Sequence, residues 1–133
     1  MIDYNDLIGL PFYEFGSGLE GYNCYSLLRE VYLRHGVNLP ETNIAVCACR
    51  QASNQEISRH MAASWEKIET PEYPCAVLVG STHPAFADHV AAYIGRGRII
   101  HVTINRSVAV DRLSDWEHKI KGFYKYVGNA NHN

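Results

Sequence analysis

Between Asn23 and Gly36 the chain carries the spacing of an amphipathic helix. Cys24, Leu27, Leu28, Val31, Tyr32 and His35 fall at i, i+3, i+4, i+7, i+8 and i+11, one continuous apolar stripe. Asn23 is an N-cap residue type and Gly36 suits the position just past the last turn. Arg29, Glu30 and Arg34 lie off the stripe. Such a helix buries its stripe only against a second layer, and the downstream sequence supplies one. Cys75–Gly80 is a short apolar run that reads as a buried strand. His89–Gly95 and Arg98–Ile104 read as two strands joined at Gly95-Arg96-Gly97, and Val108–Leu113 as a fourth. Trp116–Val127 alternates basic and aromatic residues and reads as an edge strand guarded by lysines. A second helical region is predicted over Ile44–Trp65. The first 22 residues, with Gly9, Pro11, Gly16, Gly18 and Gly21 among Phe12, Tyr13 and Phe15, form a turn-rich segment packed on the rest. Helices followed by an antiparallel sheet give an α+β layout, and 133 residues make one domain, 1–133.

Composition excludes several classes of function. Hydrophobic residues make up 47% and charged residues 20%, the balance of a soluble globular protein. A net charge of -2 offers no basic field for nucleic acid and no polybasic stretch for anionic membranes. The N-terminus lacks the basic and apolar regions of a secretory signal, and no apolar run approaches the roughly 20 residues that span a bilayer. The expectation is a product made in the cytoplasm, without membrane insertion. Cysteines stand at 24, 47, 49 and 75. Without a secretory signal a disulfide framework is not expected, so at least one thiol is free and reactive or buried and inert. Cys47-Ala-Cys49 lacks the two-residue spacer and the second pair of a zinc knuckle, so no metal is expected.

Cys24 stands in the first turn of the helix. Unpaired N–H groups and the positive end of the helix dipole there favour a thiolate. The plainer reading is a small buried hydrophobe on the inner face. The histidines bear on the choice. A three-residue loop Gly95-Arg96-Gly97 sets partner positions that sum to 192, so Ala91 faces His101 and His89 faces Thr103. Both histidines then share a face as diagonal neighbours, roughly 7 Å apart, and Gly97 supplies the left-handed residue such loops want. A two-residue loop would instead send them to opposite faces. The loop chemistry permits a base and its orienting partner without requiring them. His83 and Asp88, in the loop before His89, are candidates for the rim of a substrate site. His35 suits the negative end of the helix dipole. His60, His118 and His132 read as surface residues, and Trp65 and Trp116 as packing anchors.

The stretch Gly21-Tyr-Asn-Cys24-Tyr-Ser-Leu-Leu, then His89-Val-Ala-Ala-Tyr-Ile-Gly, then Ile99-Ile-His101, resembles the signature of the NlpC cell-wall peptidase family. Leu7-Ile-Gly-Leu-Pro-Phe, Val110-Asp-Arg-Leu-Ser-Asp-Trp and Ile120-Lys-Gly-Phe-Tyr-Lys resemble its phage tail-associated branch. The likeness runs from about residue 6 to 127. It implies a papain-like α+β fold, N-terminal helices on an antiparallel sheet, and cleavage of an amide in peptidoglycan stem peptides, usually between D-glutamate and the diamino acid. It also implies Cys24 as nucleophile, His89 as general base and His101 as the residue orienting His89, with no cofactor or metal. Tyr13, Asn23 and Tyr25 are expected to contact substrate, with His83 and Asp88.

Four positions depart from the family pattern. Asn23 replaces Asp, Ser26 and Ala91 replace Gly, and Phe12 stands where a Tyr is usual, with Tyr13 beside it. A phage particle carrying the protein to the cell wall would make a signal peptide unnecessary, with other tail-tip proteins as partners. Two alternatives stand beside this reading: a structural tail-tip component with the same fold and little activity, and an amidase or acyltransferase on another substrate.

Overall fold

A computed structural model of the chain describes residues 2–13, 16–18, 20–40, 64–80, 89–103 and 106–128. Two short strands, β1 (Ser17–Gly18) and β2 (Gly21–Tyr22), pair antiparallel ahead of helix α1 (Cys24–Arg34). Gly21 is required there by a close approach. The Tyr22 N–H donates to the Pro11 carbonyl at 3.1 Å. A Cβ on Gly21 would lie 2.4 Å from that oxygen, on a backbone with φ +133°.

A six-stranded antiparallel sheet follows, built from β3 (Trp65–Ile68), β4 (Cys75–Val79), β5 (His89–Tyr93), β6 (Arg98–His101), β7 (Ala109–Arg112) and β8 (Ile120–Tyr126). Its order is β3-β8-β4-β5-β6-β7. Leu27, Leu28, Val31 and Tyr32 of α1 join Ala76, Leu78, Val90, Ala92 and Ile100 in one core. Val77, Val79, Ala91 and Ile99 form a second, covered by Leu113, Trp116, Ile120 and Phe123. Period-two alternation along β4 and β5 divides the two. No helix among the described residues is long and apolar enough to cross a membrane.

The β5–β6 pairing, Ala92 with Ile100 and Tyr93 with Ile99, has the register the three-residue loop predicts. All three loop residues, not Gly97 alone, are left-handed, with φ of 86° at Gly95, 56° at Arg96 and 71° at Gly97. The tip is tied down on both sides of the peptide. The Gly97 N–H donates to the Tyr93 hydroxyl at 2.9 Å, and the Gly97 carbonyl accepts from the Leu113 N–H at 2.8 Å.

One expectation is corrected, and another is met only at its end. Of the helical region over Ile44–Trp65, residues 44–63 lie outside the described residues, Ser64 is helical and Trp65 opens a strand. Trp65 pairs with Tyr126, and its ring meets Tyr126 and Tyr32 edge-on at 5.2 and 5.5 Å. Such an aromatic cross-strand pair stabilises a sheet. Trp116–Val127 is not an edge strand. Leu113–Lys119 winds into a 3₁₀ helix, and β8 lies between β3 and β4. Lys125 guards no edge, since it stands opposite Glu66 and lies 4.0 Å from the Glu72 carboxylate. Among the described residues the sheet edges are β3 and β7.

Candidate active site

The start of α1 is organised by two side chains. The Asn23 Oδ1 accepts from the Ser26 N–H at 2.8 Å, and the Ser26 Oγ accepts from the Asn23 N–H at 3.0 Å. This reciprocal cap satisfies two helix-end groups and explains why Asn23 and Ser26 occur together: each is the other's partner. Cys24, the first helical residue, is buried at 2% exposure. Tyr25 is buried, and its hydroxyl donates to the Pro40 carbonyl at 2.8 Å, so that hydroxyl ties down the chain beyond the helix. Tyr13 is 48% exposed, with its N–H bonded to the Tyr22 carbonyl at 3.0 Å. Phe12 is half-buried against the core. His83 and Asp88 lie outside the described residues.

The sheet brings His89 and His101 into contact. His89 opens β5, against which α1 packs, and His101 closes β6. Both are buried, and His89 Nε2 lies 2.9 Å from His101 Nδ1. The other nitrogen of His89, Nδ1, is buried without a hydrogen-bond partner among the described residues. A bare buried nitrogen on a ring held from its far side is what a general base requires.

A third side chain, missed from the sequence, continues the chain of contacts. Asp111 Oδ2 lies 2.7 Å from His101 Nε2. The Trp116 indole N–H donates to the same oxygen at 3.2 Å, and Arg106 stands 3.6 Å from it. Trp116 also sets its ring at right angles to His101, with centroids 4.9 Å apart, so this packing anchor helps to build the site. Asp111 stands opposite Ile99 and Ala109 opposite His101 on β7, which makes Asp111 the diagonal neighbour of His101. The stretch Val110-Asp-Arg-Leu-Ser-Asp-Trp holds both Asp111 and Trp116. A carboxylate one strand beyond the second histidine was the signal that could have found them.

Burial pushes the His101 imidazole down to about 4, and the neighbouring His89 acts in the same direction against the opposing pull of Asp111. Burial raises the Asp111 carboxyl, but His101, Trp116 and Arg106 together hold it below its ordinary value. A neutral imidazole therefore faces an ionised carboxylate at neutral pH. The second described cysteine, Cys75, lies in β4 at 0% exposure, and burial pushes its thiol up to about 11, the setting of an inert thiol. His35 caps the C-terminus of α1 and accepts or donates at Nε2 to the Tyr4 hydroxyl, 2.8 Å away. His118 is exposed. Among the described residues, no group of three or more His, Cys, Asp or Glu is arranged to hold a metal ion.

A model of the NlpC/P60 family matches residues 9–125. Comparison with curated proteins finds no match. Among solved structures, the chain is similar to NlpC1 from Trichomonas vaginalis, at 18% identity and a TM-score of 0.64 over 92% of this chain and 41% of that one. It is also similar to a lipoprotein-like NLP/P60 family protein from Staphylococcus aureus, at 21% identity and a TM-score of 0.59 over 93% and 39%. A third likeness is to the NlpC/p60 domain of the peptidoglycan hydrolase SagA, at 20% identity and a TM-score of 0.58 over 91% and 90%. The chain thus spans about two fifths of the first two structures and nearly all of the third. At these identities the likenesses establish the fold.

Proposed function

The chain belongs to the NlpC/P60 family, and from that premise we propose that it is a cysteine peptidase that hydrolyses an amide in peptidoglycan stem peptides, at the bond between D-glutamate and the diamino acid. The observation that carries this reading is the bare, buried Nδ1 of His89 on a ring fixed from behind by His101, in a sheet packed against the helix that Cys24 opens. The peptidoglycan hydrolase SagA, whose NlpC/p60 domain shares the fold, supports the choice of substrate.

In this reading Cys24 gives its proton to His89 Nδ1, and the thiolate attacks the amide carbonyl, forming a C–S bond and an oxyanion. The Cys24 backbone N–H, at the positive end of α1, donates to that oxyanion. The C–N bond breaks as His89 returns the proton to the departing amine. Water, deprotonated by His89, then attacks the thioester; the C–S bond breaks and the thiol is restored. His101 holds the His89 ring in register throughout. Carriage on a phage tail, which would bring a protein made in the cytoplasm to the cell wall, belongs to the same proposal. It rests on the terminal motifs.

Digestion of purified murein tests the hydrolase, with released fragments weighed by mass spectrometry. Wild type is expected to release peptides that begin with the diamino acid, leaving stems that end in D-glutamate on the glycan, and Cys24→Ala and His89→Ala to release none. Cleavage at another amide would replace the bond assignment. A wild type that leaves murein intact, with Cys24 alkylating no faster than Cys75, would favour a structural component with this fold. Tail carriage has its own test: absence of the protein from purified particles would refute it.

A further inference from the structure

Counting protons along the contacts behind His89 leads to a residue outside the proposed trio. We infer that Asp111 is a positioning residue that fixes the tautomers of two histidines in series, so that the unprotonated nitrogen of His89 is always Nδ1. This deepens the proposed function and rests on it for the role of His89.

An ionised carboxylate only accepts hydrogen bonds. At 2.7 Å from Asp111 Oδ2, His101 Nε2 must carry its proton, because a lone pair facing the carboxylate at that distance would be repelled. A neutral imidazole has one N–H, so His101 Nδ1 is bare. The 2.9 Å contact from His101 Nδ1 to His89 Nε2 holds one proton, and only His89 can supply it. That leaves the lone pair of His89 on Nδ1, the nitrogen with no partner. When Nδ1 takes a proton, the Nε2 donation survives and the new positive charge is hydrogen-bonded in line toward Asp111. The indole of Trp116 is a donor only and reinforces the carboxylate's acceptor role at 3.2 Å, as does Arg106 at 3.6 Å. The charged and titratable groups facing His101 are His89, Asp111 and Arg106.

Removing the charge releases the constraint. In Asp111→Asn the amide can donate to His101 Nε2, which moves the His101 proton to Nδ1. The two histidines then face each other N–H to N–H whenever His89 is an imidazolium. The thiolate–imidazolium pair is disfavoured, and Cys24 reactivity moves to higher pH.

Long-range ¹H–¹⁵N correlation spectra of the ¹⁵N-labelled full chain read the tautomers without substrate. Iodoacetamide alkylation of Cys24 against pH, with the site assigned by mass spectrometry, reads the consequence. Wild type should show His101 protonated at Nε2 and bare at Nδ1. Asp111→Asn should lose that preference and alkylate about tenfold more slowly at neutral pH, the equivalent of one pKa unit. Asp111→Glu, which keeps the charge, should retain the Nε2 proton on His101. A wild-type His101 protonated at Nδ1 would overturn the inference with no variant needed. So would an Asp111→Asn protein with wild-type tautomers and an unmoved alkylation profile. Wild-type tautomers as expected in a protein inert on murein would refute the peptidase reading and leave the assignment to Asp111 standing.

Discussion

Gly21 and Arg96 show how single backbone positions hold the ends of this fold. Gly21 lets the N-terminal segment cross close enough for Tyr22 to reach the Pro11 carbonyl. Gly21→Ala puts a methyl 2.4 Å from that oxygen at φ +133°, and neither a backbone carbonyl nor this conformation yields cheaply. A loss on the order of 2–3 kcal/mol is expected, read as a lower urea midpoint at unchanged slope. Arg96 is the opposite case, a side chain held at φ 56° where an L-residue costs about 1 kcal/mol or more. Arg96→Gly removes that cost but frees the unfolded chain. A net gain of roughly 0.5 kcal/mol follows, measurable by the same denaturation.

At the scale of elements, the cap of α1 carries the clearest prediction. Asn23→Ala removes the side-chain acceptor for the Ser26 N–H and should destabilise the fold by about 1 kcal/mol. Ser26→Ala breaks the other half of the cap and should cost less than the pair together. A double-mutant cycle by urea denaturation should show coupling, since the two side chains act on one helix end. The same helix and the β5–β6 hairpin were legible in the sequence because their signals are local: a cap, a stripe, a glycine-flanked loop whose length fixes register. β3 and the central place of β8 were not. Alternation along residues 120–126 marks a strand but says nothing about its neighbours, and here the partners of β8 come from strands begun about 45 and 55 residues earlier. Asp111 escaped for the same reason. Its meaning depends on the β6–β7 register across a seven-residue connection, 102–108, whereas His89 and His101 could be aligned by counting across a tight loop.

For the molecule as a whole, the buried histidine sets the response to acid. His101 titrates near 4 in the fold and near 6.5 in an unfolded chain, so as pH falls the unfolded state takes up its proton first. The contribution of neutral His101 is therefore complete above about pH 6.5 and drains away toward pH 4, by roughly 3 kcal/mol at 1.4 per unit. His35, lowered by burial, adds a smaller loss of the same sign. Asp111, held below its ordinary value, adds its own at still lower pH. Urea midpoints should fall steadily from pH 7 to 4.5, and His101→Gln should flatten the slope even if it lowers the plateau.

The order β3-β8-β4 has a consequence for the chain as it leaves the ribosome. The helix and strands β4, β5 and β6 are all made before Ile120–Tyr126. At that stage one side of β4 is an open slot, and β3 has no neighbour in the sheet at all. Of these six strands the one made last is the one that joins the two, and it must enter between them rather than add to an outer edge. Completion of the sheet is thus a late, long-range closure that waits on translation. Until it occurs, the apolar edge of Cys75–Val79 is the surface most exposed to a wrong partner.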